Sequence, residues 1–96
     1  MKIKIAEKFS EDFVTRNAGE KLRNLILQSE NPIVLDFLDT KIASASFLDE
    51  GIAKLVDYGW TQNDYDHKLH FENMFHMDQS LLKQVCKERG KITIKL

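Results

Sequence analysis

The sequence has little cysteine and no long apolar run. Of its 96 residues, one is a cysteine, Cys86, so the chain can form no internal disulfide, which is typical of proteins in a reducing compartment. No segment approaches the ~18 consecutive apolar residues of a membrane-spanning helix. The N-terminus alternates charged and apolar residues and does not resemble a signal peptide. These absences predict a cytoplasmic protein that does not enter the membrane.

The chain also lacks a strong charge of one sign. Fourteen basic and fifteen acidic residues give a formal net charge of −1. Non-specific nucleic-acid binding depends on neutralising phosphates, and no basic stripe is evident, so we expect no nucleic-acid partner. Apolar residues make up 43% and charged residues 30% of the chain, as in globular proteins. At this length, residues 1–96 are expected to form one domain.

Hydrophobic periodicity divides the chain into alternating strands and helices. The segment Lys8–Arg16 gives mixed signals, and polar loops are expected at Leu38–Ala45 and Trp60–Asp66. The order predicts an α/β domain with a parallel or mixed sheet flanked by helices. The predicted strands are Lys2–Ala6, Ile33–Phe37, Lys68–Glu72 and Lys91–Leu96, and the predicted helices are Ala18–Ser29, Ser46–Tyr58 and Asp78–Arg89.

The segment between the second strand and the second helix is the most informative part of the chain. Its strand is apolar except for Asp36, and the helix opens with Ser44 and Ser46, followed by Asp49 and Glu50. Backbone N–H groups at a helix N-terminus are unpaired and carry partial positive charge. This is where a small α/β domain binds an anion or is modified by one.

Each serine has two interpretations. Ser46 is either a phospho-acceptor or partner contact, or the N-cap of the helix, with Asp49 completing an imperfect capping box. Ser44 is the cap instead if the helix begins earlier. In the N-cap interpretation, Asp49 and Glu50 simply place favourable charge in the first turn.

Four carboxylates, Asp36, Asp39, Asp49 and Glu50, invite a second hypothesis. Ligand sites of open α/β sheets lie beyond the carboxyl ends of the strands, and clustered carboxylates bind Mg²⁺ or Ca²⁺. Their spacing matches no calcium-binding loop. Alternatively, Asp36 accepts a loop N–H or pairs with Arg16, since a buried carboxylate needs a partner.

The histidines and the cysteine do not predict a metal site. His67 and His70 are three residues apart on a predicted strand and would point to opposite faces. No Cys-x-x-Cys accompanies them or His76. Cys86 falls on the apolar stripe of the third helix, where thiols are usually inert.

Trp60 and the Met74–Met77 segment fall in predicted connections. They belong either to the core or to an exposed apolar patch that would mark a partner surface.

The run Leu35-Asp36-Phe37, a spacer, then Ser46-Phe47-Leu48-Asp49-Glu50 resembles the STAS-like domains grouped as DUF4325. It is similar, more distantly, to the STAS domains of anti-sigma-factor antagonists. Upstream, Arg16-Asn17-Ala18-Gly19 fits the STAS-like family, and the resemblance covers roughly Phe9 to Trp60. It implies a compact sheet of about four or five strands packed against helices.

In the antagonist family, a serine at the corresponding helix start is phosphorylated by a partner kinase of the GHKL ATPase type, and this controls partner exchange. Ser46 matches that position, and the resemblance makes Arg16 an anion or partner contact. The chain departs from the antagonists at Phe47, where they have small residues, and at Asp49 and Glu50, which would repel a phosphate.

The resulting prediction is a non-enzymatic regulatory module without cofactors. It would dock a protein partner, such as a GHKL-type ATPase, through the helix start Ser44–Glu50. The alternative is a catalytic domain that binds a small ligand or divalent metal through Asp36, Asp49 and Glu50.

Overall fold

The computed structural model describes residues 1–9 and 15–96. Within them the chain forms three strands, five α-helices and one 3-10 helix. The strands are β1 (Lys2–Lys4), β2 (Ile33–Asp36) and β3 (Leu69–Glu72); the helices are α1 (Ile5–Phe9), α2 (Arg16–Gln28), α3 (Ala45–Gly51), the 3-10 helix (Ala53–Tyr58), α4 (Gln62–Lys68) and α5 (His76–Gly90).

The three strands form a parallel sheet in the order β1-β2-β3. The central strand β2 is the predicted apolar run, and its residues Ile33 and Leu35 are fully buried. Leu35 lies opposite Ile3 of β1 on one side and Phe71 of β3 on the other. A strand buried on both faces needs apolar residues without strict alternation, which confirms the prediction for this segment.

The expected sheet of four or five strands flanked by three helices is therefore wrong in its counts, because the described residues form three strands and more helices than expected. Residues 91–96 do not join the sheet. Lys91 ends α5 in the left-handed conformation with φ 56°, and the Gln62 side chain exchanges two hydrogen bonds with the Thr93 backbone. Ile92 and Ile94 are nevertheless buried. The alternation of apolar and polar residues over 91–96 therefore reflects packing against the core and not a strand.

Other boundaries differ from the predictions for local reasons. Strand β1 ends at Lys4 because Ile5 begins α1. The predicted helix Ser46–Tyr58 is interrupted at Ile52, with φ −121° and ψ −57°, and continues as the 3-10 helix. The predicted loop Trp60–Asp66 contains the start of α4, which Thr61 and Asp64 stabilise with a complete capping box.

Helices α2 and α5 confirm the predicted amphipathic segments. Helix α2 begins at Arg16 because the Thr15 side chain accepts a hydrogen bond from the Ala18 N–H. Residues 10–14, within the segment of mixed signals, lie outside the described residues. In the part of the chain that the structure describes, no helix is long and apolar enough to cross a bilayer.

Helices α2 and α3 approach each other closely at two glycines. A Cβ atom on Gly19 would lie 2.7 Å from the Cβ of Glu50, and one on Gly51 would lie 2.8 Å from a Leu22 methyl carbon. Side chains larger than hydrogen would separate these backbones. The two glycines therefore place the acidic end of α3 directly against α2.

Trp60 belongs to the core and packs edge-to-face on Tyr65, with ring centroids 5.3 Å apart. Met74 is also buried, whereas Phe75 and Met77 are exposed. The core interpretation is thus confirmed for Trp60 and Met74, whereas Phe75 and Met77 contribute apolar surface.

Candidate functional site

The loop between β2 and α3 is fixed by a buried carboxylate on a different helix. Asp78 in the first turn of α5 is 1% exposed. It accepts hydrogen bonds from the N–H groups of Ile42 at 2.7 Å and Ala43 at 2.9 Å. Asp78 is not the first residue of this helix, as the predicted range Asp78–Arg89 had it, because α5 already begins at His76. Instead it determines where α3 starts.

Helix α3 is capped by Ser44. The Ser44 hydroxyl accepts a hydrogen bond from the Phe47 N–H at 3.3 Å, and Ser44 has extended φ and ψ angles. The interpretation of Ser46 as the N-cap is wrong, because the helix begins at Ala45 and Ser46 is already helical. The alternative that placed the cap at Ser44 is confirmed, and the Ser46 hydroxyl is not needed to start the helix.

Ser46 is half-buried and lines a surface cleft of about 430 Å³. The cleft, which we call the α3–α5 cleft, lies where the start of α2, the start of α3 and the C-terminal half of α5 meet. It is lined by Arg16, Ala45, Ser46, Asp49, Val85, Glu88 and Arg89. Three of the residues singled out in the sequence, Arg16, Ser46 and Asp49, therefore share one surface.

Asp49 is held by Arg89 across the cleft. Arg89 donates from Nε to Oδ1 at 2.8 Å and from Nη2 to Oδ2 at 2.7 Å. These hydrogen bonds from Arg89 lower the pKa of Asp49, against the opposing effect of burial, and they raise the pKa of Arg89. Arg89 also donates to Asp57 of the 3-10 helix at 3.0 Å, so one side chain connects three helical segments.

Glu50 is the centre of a second ionic cluster. Arg16 donates to its Oε1 at 2.9 Å, and Arg23 donates from Nη1 to its Oε2 at 3.0 Å and to its carbonyl oxygen at 2.9 Å. Lys54 lies 3.4 Å from Oε1. Burial raises the pKa of Glu50, but the hydrogen bonds from Arg23, Lys54 and Arg16 outweigh it, and the pKa lies below 4.5.

Arg23 is itself buried, with its side chain 5% exposed. Its guanidinium carbon lies 4.8 Å from the centroid of the Tyr58 ring, and its Nε is buried without a partner among the described residues. The Glu50 carboxylate is therefore the counter-charge that permits this arginine in the interior.

Asp36 lies in a different place from Asp49 and Glu50. Its Oδ1 accepts from the Leu38 N–H at 3.0 Å and from the Asn73 side-chain amide at 2.9 Å. Lys2 lies 3.7 Å from Oδ2. The Asn73 hydrogen bond, followed by that of Leu38 and the Lys2 charge, outweighs burial and lowers the pKa of Asp36. The loop N–H alternative is thus confirmed, and the pairing with Arg16 is wrong.

The expected convergence of the four carboxylates does not occur. Asp36, the last residue of β2, contacts Lys2 of β1 and Asn73. Asp39 is exposed in the following loop, and the two acids of α3 are paired with arginines. Among residues 1–9 and 15–96, no group of three or more His, Cys, Asp or Glu side chains is arranged to hold a metal ion. The geometry gives no support to the metal-dependent alternative.

The histidines and Cys86 lie away from the cleft. The placement of His67 on a strand is wrong, because His67 belongs to α4 and β3 begins only at Leu69. The His67 Nδ1 lies 2.9 Å from the Asn63 carbonyl oxygen. Cys86 is 1% exposed on the core face of α5. Burial, assisted by the Asp49 charge, raises the pKa of its thiol to about 12, so it is a packing residue.

The long-range contacts of Arg23, Arg89 and Asp78 were not predicted from the sequence. Arg89 and Asp49 are separated by 40 positions and Asp78 and Ile42 by 36, so no local pattern connects them. A signal existed only for Arg23, which lies one residue beyond Leu22 at the edge of the apolar stripe of α2. An arginine there predicts a buried acidic partner.

Most side chains that line the α3–α5 cleft are polar groups of the kinds that bind another surface. Among the described residues, the lining of the cleft contains a hydroxyl, two guanidinium groups and two carboxylates, and no histidine, cysteine or lysine. A nucleophilic serine needs an adjacent base to accept its proton, and Asp49 is engaged by Arg89. The groups present can form ion pairs and hydrogen bonds with another surface.

The chain was also compared with known proteins. The model of the STAS-like domain of unknown function (DUF4325) matches residues 18–79. That region contains β2, α3 and the cleft residues Ala45, Ser46 and Asp49. Searches of curated proteins and of solved structures each found no match. Because the family model covers more than half of the sequence, the chain belongs to the STAS-like domain family DUF4325.

Proposed function

We propose that this STAS-like domain is a non-enzymatic regulatory module that docks a protein partner on the α3–α5 cleft. The observation that carries the proposal is the position of Ser46, which lines a cleft bordered by Arg16 and Arg89. The partner suggested by the resemblance to anti-sigma-factor antagonists is a GHKL-type ATPase. In this proposal the domain supplies a binding surface and the partner supplies any chemistry.

The charges of the cleft favour a protein over a polyanion. Arg16 and Arg89 are balanced by Asp49 and Glu88, so the surface presents both signs within one small area. Complementary charges of mixed sign determine the orientation and specificity of protein complexes. Arginine is also enriched among the residues that contribute most to binding.

Arg16 is the side chain best placed to contact a partner. It is 60% exposed, and Nη1 is the atom through which it contacts Glu50 and Asp49. A guanidinium has five N–H donors, so Arg16 retains donors for an incoming carboxylate or phosphate. Arg89, in contrast, uses Nε, Nη1 and Nη2 internally.

Phosphorylation of Ser46 is the finer part of the proposal. The sequence suggested repulsion from Asp49 and Glu50, but both carboxylates are paired with arginines. A phosphate on Ser46 would add −1.5 to −2 charges, roughly, at neutral pH, beside Arg16 and Arg89. We therefore expect a phosphorylated domain to lose or exchange the partner that binds the unmodified cleft.

The test uses a purified GHKL-type ATPase with ATP and the full chain. Intact-mass analysis with peptide mapping reports phosphate, and isothermal titration calorimetry reports docking. We expect binding that Arg16→Gln weakens roughly tenfold, since two to three charged hydrogen bonds are at stake. Lys21→Gln is the matched control, because this exposed lysine of α2 lies outside the cleft.

Three outcomes are informative. Binding together with one phosphate on Ser46, absent in Ser46→Ala, supports both parts of the proposal. Binding without phosphate keeps the docking module and rejects the phosphorylation. Equal affinities for Arg16→Gln and Lys21→Gln, or no binding at all, would overturn the assignment of this cleft as the docking surface.

A further inference from the structure

A second surface of the domain carries an unpaired positive charge. Lys83, Lys87 and Lys91 follow one another at intervals of four residues along α5 and its C-terminal cap. With Ile92, Thr93 and Ile94 they line a groove of about 720 Å³, which we call the lysine groove. The near-zero net charge of the chain conceals this local stripe, which the sequence analysis overlooked.

The lysine groove is distinct from the α3–α5 cleft. Both involve α5, but the cleft uses Val85, Glu88 and Arg89, which lie on a different side of the helix from the lysine stripe. No residue is shared between the two linings. Binding at the lysine groove therefore does not depend on the function proposed for the cleft.

Within the part of the chain that the structure describes, the three lysines have no counter-charge of their own. No acidic residue lines the groove, and none of these lysines forms an ion pair with a residue in the described ranges 1–9 and 15–96, unlike Lys2, Lys54, Lys68 and Lys95. The C-terminal end of a helix favours cations in its last turn, which accounts for Lys87 but not for Lys83, one turn earlier.

We propose that the lysine groove binds an acidic amphipathic helix of a partner protein. Residues four apart on a helix are separated by about 6 Å along its axis, so glutamates or aspartates at this interval would match the three lysines in register. The lysine stems and the edges of Ile92 and Ile94 give the groove an apolar floor for the neighbouring stripe of such a helix.

Charge and shape together select this occupant. A helix presents an acidic row and an adjoining apolar row to the same wall. An extended peptide places the side chains of one face in a single row, so it cannot present an acidic row and a separate apolar row to the same wall. A nucleic-acid backbone supplies anions without an apolar face, and a second copy of the chain is repelled by its own lysines at this surface.

The test uses a synthetic helical peptide with glutamate at every fourth position and leucine on the adjoining stripe. A control peptide has glutamine in place of glutamate. Amide chemical shifts of the full chain identify the residues that respond, and fluorescence anisotropy gives affinity at low and high salt. We expect shifts concentrated at residues 83–94, affinity that falls with salt, and weaker binding of the glutamine peptide.

Paired charge variants identify the groove. Lys83→Gln with Lys87→Gln should weaken binding of the acidic peptide by roughly three- to thirtyfold, the effect of two charge pairs. Lys21→Gln with Lys41→Gln changes net charge equally at exposed positions outside the groove and should bind like the parent. Arg16→Gln should also bind like the parent, which separates this proposal from the cleft.

Several results would overturn the proposal. These are equal affinities for the two double-lysine variants, equal affinities for the acidic and glutamine peptides, or shifts located elsewhere. Displacement of the peptide by single-stranded RNA or by anionic vesicles at equal charge concentration would instead assign the groove to a polyanion or a membrane surface.

Discussion

Arg89 binds Asp49 through two parallel hydrogen bonds, Nε to Oδ1 at 2.8 Å and Nη2 to Oδ2 at 2.7 Å. The pair joins the last helix of the chain to the helix that carries Ser46. Bidentate arginine–carboxylate pairs restrict orientation as well as distance. The pair therefore restricts the relative orientation of the two helices that border the α3–α5 cleft.

The first prediction concerns that pair. Arg89→Lys keeps the charge but loses the bidentate geometry, and we expect it to lower the free energy of unfolding by about 1 kcal/mol. A double-mutant cycle with Asp49→Asn, measured by urea denaturation, should give a coupling energy of about 0.5–2 kcal/mol. Lys83→Gln, on the same helix, removes a lysine that forms no ion pair with the described residues and should change stability by less than ~0.5 kcal/mol. A coupling energy near zero would mean that the pair does not hold the cleft.

The second prediction concerns Glu50 and acid stability. Its folded-state pKa is below 4.5, its value without a partner. Its contribution is therefore present above that pH and lost as the pH falls through the folded pKa. We expect stability to decline below about pH 4.5, with Asp49 contributing at still lower pH because its ordinary pKa is 3.8.

Glu50→Gln tests this assignment. It leaves the buried Arg23 charge uncompensated and should cost about 3–5 kcal/mol at neutral pH. It should also flatten the dependence of stability on pH in the acid range. Glu20→Gln, at an exposed position of α2, should lower stability little and preserve the pH dependence. An unchanged acid profile in Glu50→Gln would contradict the ionic cluster.

The third prediction separates the two serines. Ser44→Ala removes the acceptor for the Phe47 N–H and should destabilise the domain by about 1 kcal/mol. Ser46→Ala is the matched control, since Ser46 is the second residue of α3 rather than its cap, and alanine is a better helix former than serine. Thermal denaturation compares them. A larger loss for Ser46→Ala would require a structural role for its hydroxyl that the geometry does not show.

Elements with a strong local pattern could be predicted from the sequence. The apolar run of β2 and the stripes of α2 and α5 follow from periodicity alone, because each element buries one face or both. Helix α4 was missed although its signal was present. Thr61 and Asp64 have the spacing of a capping box, and the polar composition of the segment obscured it.

The remaining features depend on contacts between distant residues. The alternation of Ile92 and Ile94 is the same for a strand and for an extended segment that packs on the core. The Gln62 side chain, 31 positions from Thr93, takes the place of a neighbouring strand. The cleft likewise needs Arg89, whose partner is 40 positions away. Of the candidate site, the start of α3 and Arg16 could be located from the sequence, but Arg89 could not.

The last prediction concerns the approach of α2 to α3 at Gly19. A Cβ at this position would lie 2.7 Å from the Cβ of Glu50 and 3.0 Å from the Phe47 carbonyl oxygen. Alanine is favoured over glycine inside a helix by about 1 kcal/mol, but the two helices must separate to admit the methyl group. We expect Gly19→Ala to destabilise the domain by about 1–3 kcal/mol and to weaken the binding that we propose for the cleft, because α3 moves with Glu50. Asn24→Ala, at an exposed position of the same helix, controls for propensity and should be neutral or stabilising. A stabilised Gly19→Ala in urea denaturation would show that the two helices are not in close contact.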